Sequence, residues 1–459
     1  MKRYAEKELI EWKNRVGRKP LIVRGARQVG KTYLVEAFGK GSFESVLTVN
    51  LEQKEDLHPL FERMEAKRIT QELGLYFNQS IMPGKTLLFF DEIQACPKAI
   101  ACLRYLYEEM PDLHVIAAGS LLDFALREFK HSMPVGRIEY LHLNPLTFEE
   151  FLSAIGADVL VAHLGRYHVG DELGEAVTAK LREFLRTYFF VGGMPAAIAA
   201  HSQQHGLLES QRVLASIATT LQDDFAKYGT RAQQRNMRRV LHYVPRNIGQ
   251  KVRYVNISRE ARADELRTAL ELLELSRIVT LVRHSSANGL PLGAEASESH
   301  FKPLLLDIGL CNHLCGLSLP DAADLLGAQE GRLAEQFVGQ EFRALAPAFE
   351  ERPLFYWHRE AKNANAEVDY LCTLDNNVIP VEVRAGTSGS LKSVQMFVAE
   401  KKRSLALRFN MDRPSVGSFS TDIGGKAGVK SISYTLLSLP LYLAGQTDRL
   451  LHECSSKRH

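Results

Sequence analysis

The 459 residues are 45% hydrophobic and 24% charged, the mixture of an ordinary globular chain. That composition excludes a fibrous repeat or long-range disorder, and the length suggests about three domains. Lys and Arg (57) nearly balance Asp and Glu (54), for a net charge of +3, so a nucleic-acid partner must be drawn by a local basic patch. No apolar run reaches the roughly 18 residues of a membrane span, and the opening stretch through Arg15 lacks the apolar core of a signal peptide. The six cysteines fit neither a disulfide framework nor a zinc-ribbon spacing, and Cys311-x-His313-x-Cys315, with no second pair nearby, reads as buried thiols beside a histidine. A soluble cytoplasmic protein without a membrane partner is expected.

In chain order, residues 1–20 read as a short helix ending in a basic turn. Leu21-Ile22-Val23 is a buried strand followed by a glycine loop that opens a helix. Further apolar runs at 46–51, 86–90 and 114–118, separated by helical patterns such as 98–110, predict a parallel sheet covered on both faces; 138–143 adds a strand. From Thr147 the pattern turns helical, with a cap and an acidic first turn, and Gly192-Gly193-Met194-Pro195 interrupts it. Asn256–Arg259, a helix over 263–275 and a strand over 278–282 have the shape of a winged helix, with 285–300 as wing or hairpin tip. A helix from 332 to 346, stopped by Pro347, precedes strands at 355–357, 367–373 and 377–384 and a helix at 391–400. Another apolar stretch covers 404–409. Residues 412–428 read as an exposed Gly/Ser loop, and the polar end after 440–444 reads as frayed.

Gly25-Ala26-Arg27-Gln28-Val29-Gly30-Lys31-Thr32 is G-x-x-x-x-G-K-T between that strand and helix, the context a P-loop needs. The glycines let backbone N–H groups converge on phosphate oxygens at a helix N-terminus. Lys31 sets a point charge at the β- and γ-phosphates and the Thr32 hydroxyl ligates Mg²⁺. The eight motif residues with Tyr33 form the expected ATP-binding set. Leu87–Glu92 is an apolar strand ending in two carboxylates: Asp91 would hold the Mg²⁺ of ATP, and Glu92 would polarise the attacking water. Ser120, at the end of the next strand, is placed to face the γ-phosphate. Arg137 is the candidate transition-state arginine, in cis or in trans, with a surface loop role as the other reading; Arg127 is the less favoured alternative.

These motifs, with Gly119-Ser120, Gly136-Arg137, Asn144–Phe151 and the 192–195 turn, resemble the AAA+-type ATPases of bacteria and archaea, related to the STAND and archaeal-ATPase branch, whose nucleotide domain is fused to a C-terminal domain of unknown function. The resemblance implies ATP binding and hydrolysis, and a lid turn that brings Pro195 to the nucleotide. It also implies an α/β architecture: a P-loop NTPase domain (1–150), a helical lid (151–230), a winged helix (231–315) and a restriction-endonuclease-like α/β domain (325–459). Homo-oligomerisation is a further expectation.

In the last segment, Asp369 and Glu382 resemble the metal ligands of the PD-(D/E)xK nuclease fold, one on each of two adjacent strands, and Glu335 on the preceding helix adds a third carboxylate. Hard oxygen donors of this kind suit Mg²⁺. The motif lysine, however, is Arg384 here, and the two are not interchangeable. A binding fold that keeps its acidic pocket is therefore favoured over an active nuclease, with ion pairs of Glu382 or Arg384 across strands as the remaining reading. Between Phe225 and Arg259 nine cations and no carboxylates occur. This stretch is a candidate for non-specific DNA contact and, with equal weight, a solvated face or domain interface. The following helix carries Asp264, Glu265, Glu271 and Glu274 against Arg267, which argues against groove reading by that helix.

Overall fold

The computed structural model describes all residues except 121, 123, 125–135, 228, 317–329, 360–365, 385–390, 426–427 and 457–459. Arg127 therefore lies outside the described residues. The chain divides into two compact units. One comprises Met1–Pro145 with Leu275–Ile278 and Ala346–Glu351; the other comprises Leu146–Glu274, Val279–Leu345 and Arg352–His459.

The first unit is built on five parallel strands in the order β2-β3-β4-β1-β5: β1 (Leu21–Arg24), β2 (Ser45–Asn50), β3 (Thr86–Asp91), β4 (His114–Gly119) and β5 (Glu139–His142). Every residue of β3 and β4 is buried, as expected of strands covered on both faces. Helices α1 (Ala5–Asn14), α2 (Lys31–Ser42), α3 (Ala66–Tyr76) and α4 (Pro97–Glu109) complete the unit. This is the parallel α/β sheet of a P-loop NTPase. The register Arg24↔Gly119↔His142 puts the loops after β1 and β4 at one sheet edge. Behind that edge His114 packs edge-on against Trp12 and Phe43, with ring centroids 5.7 and 4.8 Å away.

The second unit begins with α5 (Phe148–Ala154), whose Thr147–Glu150 capping box is formed from both sides. It continues through α6 (Asp158–Arg166), α7 (Glu175–Val191), α8 (Pro195–Ala200), α9 (Gly206–Asp223), α10 (Arg231–Tyr243) and α11 (Ala263–Leu275). Strand β6 (Val279–Ser285) pairs antiparallel with β7 (Ala296–Leu305) and parallel with β8 (Phe355–His358), and β9 (Glu367–Val368) extends this sheet in the order β7-β6-β8-β9. Between them lie α12 (Ile308–Cys315) and α13 (Glu330–Ala344). The remaining sheet has the order β10-β11-β12-β14-β13: β10 (Tyr370–Leu374), β11 (Asn377–Val383), β12 (Leu405–Asn410), β13 (Ser415–Gly425) and β14 (Gly428–Pro440), with α14 (Lys392–Lys401) preceding β12 and α15 (Thr447–Ser456) last.

Four expectations need correction. Residues 296–300 belong to a strand, because β7 continues out along β6 past the buried core. The segment 367–373 is two strands in two sheets, broken at Asp369. Residues 415–425 are the edge strand of a long hairpin, paired from Ser415↔Ser438 to Gly425↔Gly428. Their serines face solvent or each other, as Ser420 and Ser433 do at 2.8 Å, so the polar composition reflects a solvated face. Finally, the polar end forms α15, which buries Leu450, Leu451 and Cys454. No helix among the described residues is long and apolar enough to cross a membrane, and none of the six cysteines is in a disulfide.

Candidate functional site

The loop between β1 and α2 turns on two positive-φ residues, Gln28 (φ 64°) and Gly30 (φ 92°), the latter capping α2. Gly25 is required sterically: a Cβ there would run into the backbone carbonyl of Leu143, which follows β5. Ala26 and Val29 are buried, and Arg3 ties the loop down by donating to the Val29 carbonyl at 3.0 Å. Lys31 is buried, and its ammonium donates to the carbonyls of Gly25 (3.1 Å) and Ala26 (2.9 Å). Burial pushes it down to about 8, against the opposing pull of Glu92 and Asp91. Tyr33, in the first turn of α2, is exposed.

The Thr32 hydroxyl lies 3.2 and 3.1 Å from the two carboxylate oxygens of Asp91. Burial and the neighbouring Glu92 raise the Asp91 carboxyl above its ordinary range. A hydroxyl and a carboxylate converging beside a buried ammonium suit a hydrated Mg²⁺, which keeps several waters and takes few protein ligands. Glu92 follows in the left-handed region (φ 48°) and accepts from the Gln94 amide and from Ser120 Oγ at 3.4 Å. A Cβ at Gly119 would meet the end of the Gln94 side chain, which would have to move and give up its contact with Glu92. Lys31, Thr32, Asp91, Glu92 and Ser120 thus meet at one sheet edge.

Arg137 is elsewhere. It precedes β5, whose Glu139 pairs with Leu21 at the start of β1, so about 10 Å of strand separates it from the P-loop edge. There its Nε binds Glu108 at 2.8 Å. Within its own unit it is turned away from the phosphate site. Pro195 is the first residue of α8, after a turn in which Gly192 (φ 71°) packs against Asp307. The wholly buried Asp307 accepts from Gly193 N (2.6 Å) and Leu310 N (3.0 Å), and burial raises it to about 6.

The second unit holds another charged centre. Glu335 on α13, Asp369 between β9 and β10, and Glu382 on β11 do come together, and the buried Lys302 of β7 stands beside them. Its ammonium is 2.6 Å from Glu367, 3.8 Å from Glu335 and 3.9 Å from Asp369. Burial alone would lower this lysine, but Glu335, Asp369 and Glu367 outweigh it and raise it. Burial, reinforced by Asp369, pushes both Glu335 and Glu382 up to about 8. Asp369 accepts from Val383 N at 2.8 Å, and Arg384, just past the end of β11, pairs with Glu382 two residues back. Sequence reasoning missed Lys302 and, while it saw Glu367 two residues from Asp369 on a carboxylate-bearing strand, gave it no role. The one available signal was a lysine inside the apolar run Phe301–Leu306.

Residues 17–152 match the family model of an AAA domain. The match and the site together support a nucleotide-binding ATPase of the AAA+ class. Residues 182–321 and 330–416 match two domains of unknown function (DUF8612 and DUF4143). No curated protein matches the chain. Among solved structures it is similar to the ORC2 protein of Aeropyrum pernix in ADPNP–ADP complexes (13% identity, 71% of this chain and 93% of that one, TM-score 0.36). It is also similar to the ORC1 protein of A. pernix in complex with DNA (13%, 70% and 93%, TM-score 0.28) and to C. elegans PCH-2 (10%, 46% and 66%, TM-score 0.27). Likeness at this level bears on neither substrate nor partner.

Proposed function

We propose that the chain is a Mg²⁺-dependent ATPase whose nucleotide state repositions a winged-helix module and a nuclease-like C-terminal domain on DNA. The observation that carries the ATPase reading is the buried Lys31 ammonium held at the P-loop beside the Thr32–Asp91 pair. An ATP triphosphate would replace the two loop carbonyls as the partner of Lys31. Thr32 and Asp91 would hold Mg²⁺, which supplies charge neutralisation at the phosphates. Glu92 would orient a water for attack on the γ-phosphorus, its proton passing toward that carboxylate as the bond from the γ-phosphorus to the departing ADP oxygen breaks, and Ser120 would help align the same water. Arg137, facing away from its own site, would serve a neighbouring copy in a homo-oligomer, and Pro195 would approach the nucleotide from the helical lid. In the C-terminal region the acidic centre is read as the remnant of a nuclease-like site used for binding. The exposed cations of 227–259 would contact phosphates non-specifically.

Phosphate release from wild type, Lys31→Ala and Glu92→Gln tests the assignment. Both variants should be strongly impaired; wild-type rates in both would refute the roles given to these residues. One observation favours a second reading, a slow assembly switch: Glu92 is already engaged by Gln94 and Ser120, which restrains it from accepting a proton. Sizing the protein with and without ATP separates the two, since a switch changes mass while turning over very little.

A further inference from the structure

The carboxylate centre of the second unit does not fit a divalent ion. Among the described residues no group of three or more His, Cys, Asp or Glu side chains is disposed to hold a metal. The space where Glu335, Glu367 and Asp369 approach one another is taken by the Lys302 ammonium, and Arg384 occupies Glu382. Lys302 is 2% exposed, so it cannot swing into solvent to make way.

Beside this centre lies a polar cavity of about 590 Å³, bordered by Lys251, Arg253, Arg359, Asn247, His358 and, on the side of the acidic centre, Glu367. Glu367 in the cavity wall, and any ionised carboxylate behind it, would repel a phosphate by Coulomb's law unless neutralised. Here the neutralisation is built in: Lys302 takes Glu367 at 2.6 Å from behind, and Lys251 stands 3.8 Å from its other oxygen. Arg253 is exposed at the rim. Arg359 is held by Glu400 at 2.9 Å, a closer pairing than the 3.8 Å between Lys251 and Glu367, so Lys251, while paired, and Arg253 are the cations best placed to face an anion. Both follow in sequence the exposed Arg231, Arg235 and Arg238 of α10 and the exposed Arg246, and Tyr243 at the end of α10 borders the cavity. A single anion needs only the cavity, whereas a run of cations along the chain matches the repeated charge of a polymer.

We infer that this cavity binds the phosphodiester backbone of a nucleic-acid strand without a divalent ion, Lys302 serving as the resident counter-cation in the place a metal would take. The inference rests on the nucleic-acid reading proposed above for this region. Lys302 is a positioning residue: it keeps the acidic floor from repelling phosphate, while Lys251 and Arg253 make the contacts.

The test is binding of a fluorescein-labelled single-stranded DNA oligonucleotide to the full chain without ATP, in EDTA and in Mg²⁺, across a salt series, with inorganic phosphate as competitor. Equal affinity in both buffers is expected. Arg253→Ala and Lys251→Ala should each weaken binding about tenfold and lower the salt slope by about 0.7. Lys302→Met should weaken it in EDTA as well; should that variant fail to fold, the two surface variants carry the test. Binding that appears only with Mg²⁺ overturns the counter-cation role and leaves the nucleic-acid reading standing. Binding in EDTA that neither surface variant alters, or that phosphate alone displaces at equal concentration, overturns the cavity as the site of a strand. No binding in either buffer refutes the nucleic-acid reading itself.

Discussion

The two charged centres of this chain are made in opposite ways. The phosphate site is mostly one continuous loop, residues 25–32, completed by the ends of two neighbouring strands, and its donors are largely backbone. The acidic centre is assembled from side chains on β7, α13, β9, β11 and the break between β9 and β10, residues that are up to 80 positions apart in sequence. A loop of backbone donors barely depends on the identity of remote residues, whereas a cluster of buried charges depends on each of its members. Substitutions at the first centre should therefore alter ATP hydrolysis and leave stability alone, and substitutions at the second should cost stability and leave ATP hydrolysis alone.

The largest effect expected is at Glu92. Glu92→Gln should lower kcat by about 10²–10⁴ with nucleotide affinity and thermal midpoint unchanged, as read by phosphate release, a nucleotide titration and a melting curve. A comparable loss of stability would break the contrast. At the other centre Lys302→Met strands carboxylates without their cation and should cost about 3–5 kcal/mol in denaturant unfolding. Phosphate release per folded molecule should stay at the wild-type level.

His114 sharpens the comparison, because it is a sensitive buried group in the first unit but outside the motif. Its Nδ1 lies 3.2 Å from the Arg18 guanidinium and its Nε2 3.3 Å from the Lys13 carbonyl, which uses both nitrogens of the neutral ring. Burial, then Arg18, lowers it from the ordinary 6.5 to about 4. The unfolded chain thus takes up its proton first. Stability from this group is complete above 6.5 and is lost as pH falls toward 4, by on the order of 3 kcal/mol. Thermal unfolding across that window should show the loss, and His114→Gln should flatten it. The smallest effect is at Asp307→Asn. Its side-chain oxygen can keep only part of the bonding to Gly193 and Leu310, so about 1–3 kcal/mol of stability should go, with no change in nucleotide affinity.

The same contrast explains what could be read before the structure. The P-loop, the Asp91–Glu92 pair and the parallel sheet were legible because contiguous apolar runs and a fixed spacing encode them locally. Glu335, Asp369 and Glu382 were found as carboxylates on strands and a helix, yet their neighbour Lys302 was not. Its role comes from two sheets meeting, and nothing in its own segment marks that meeting. The β13–β14 hairpin was hidden by serines and glycines on a solvated edge, and α15 by the polar face it turns outward. Arg137 was recognisable as a loop arginine, but its side of the sheet emerged only from the register of β5 on β1.

One consequence follows from α13. Along two turns it is fastened by Gln336 to both backbone groups of Leu305, by Gln340 to Ile308 N, and by Glu341 to Phe148 N, while its Glu335 carbonyl receives the Tyr370 hydroxyl. A rod bolted at so many points can neither spin nor slide a turn on its own. A displacement begun at the Gly193–Asp307 knot, which Gln340 adjoins, must arrive at Glu335 as movement of the whole bar, much as a connecting rod delivers at one end the stroke it receives at the other.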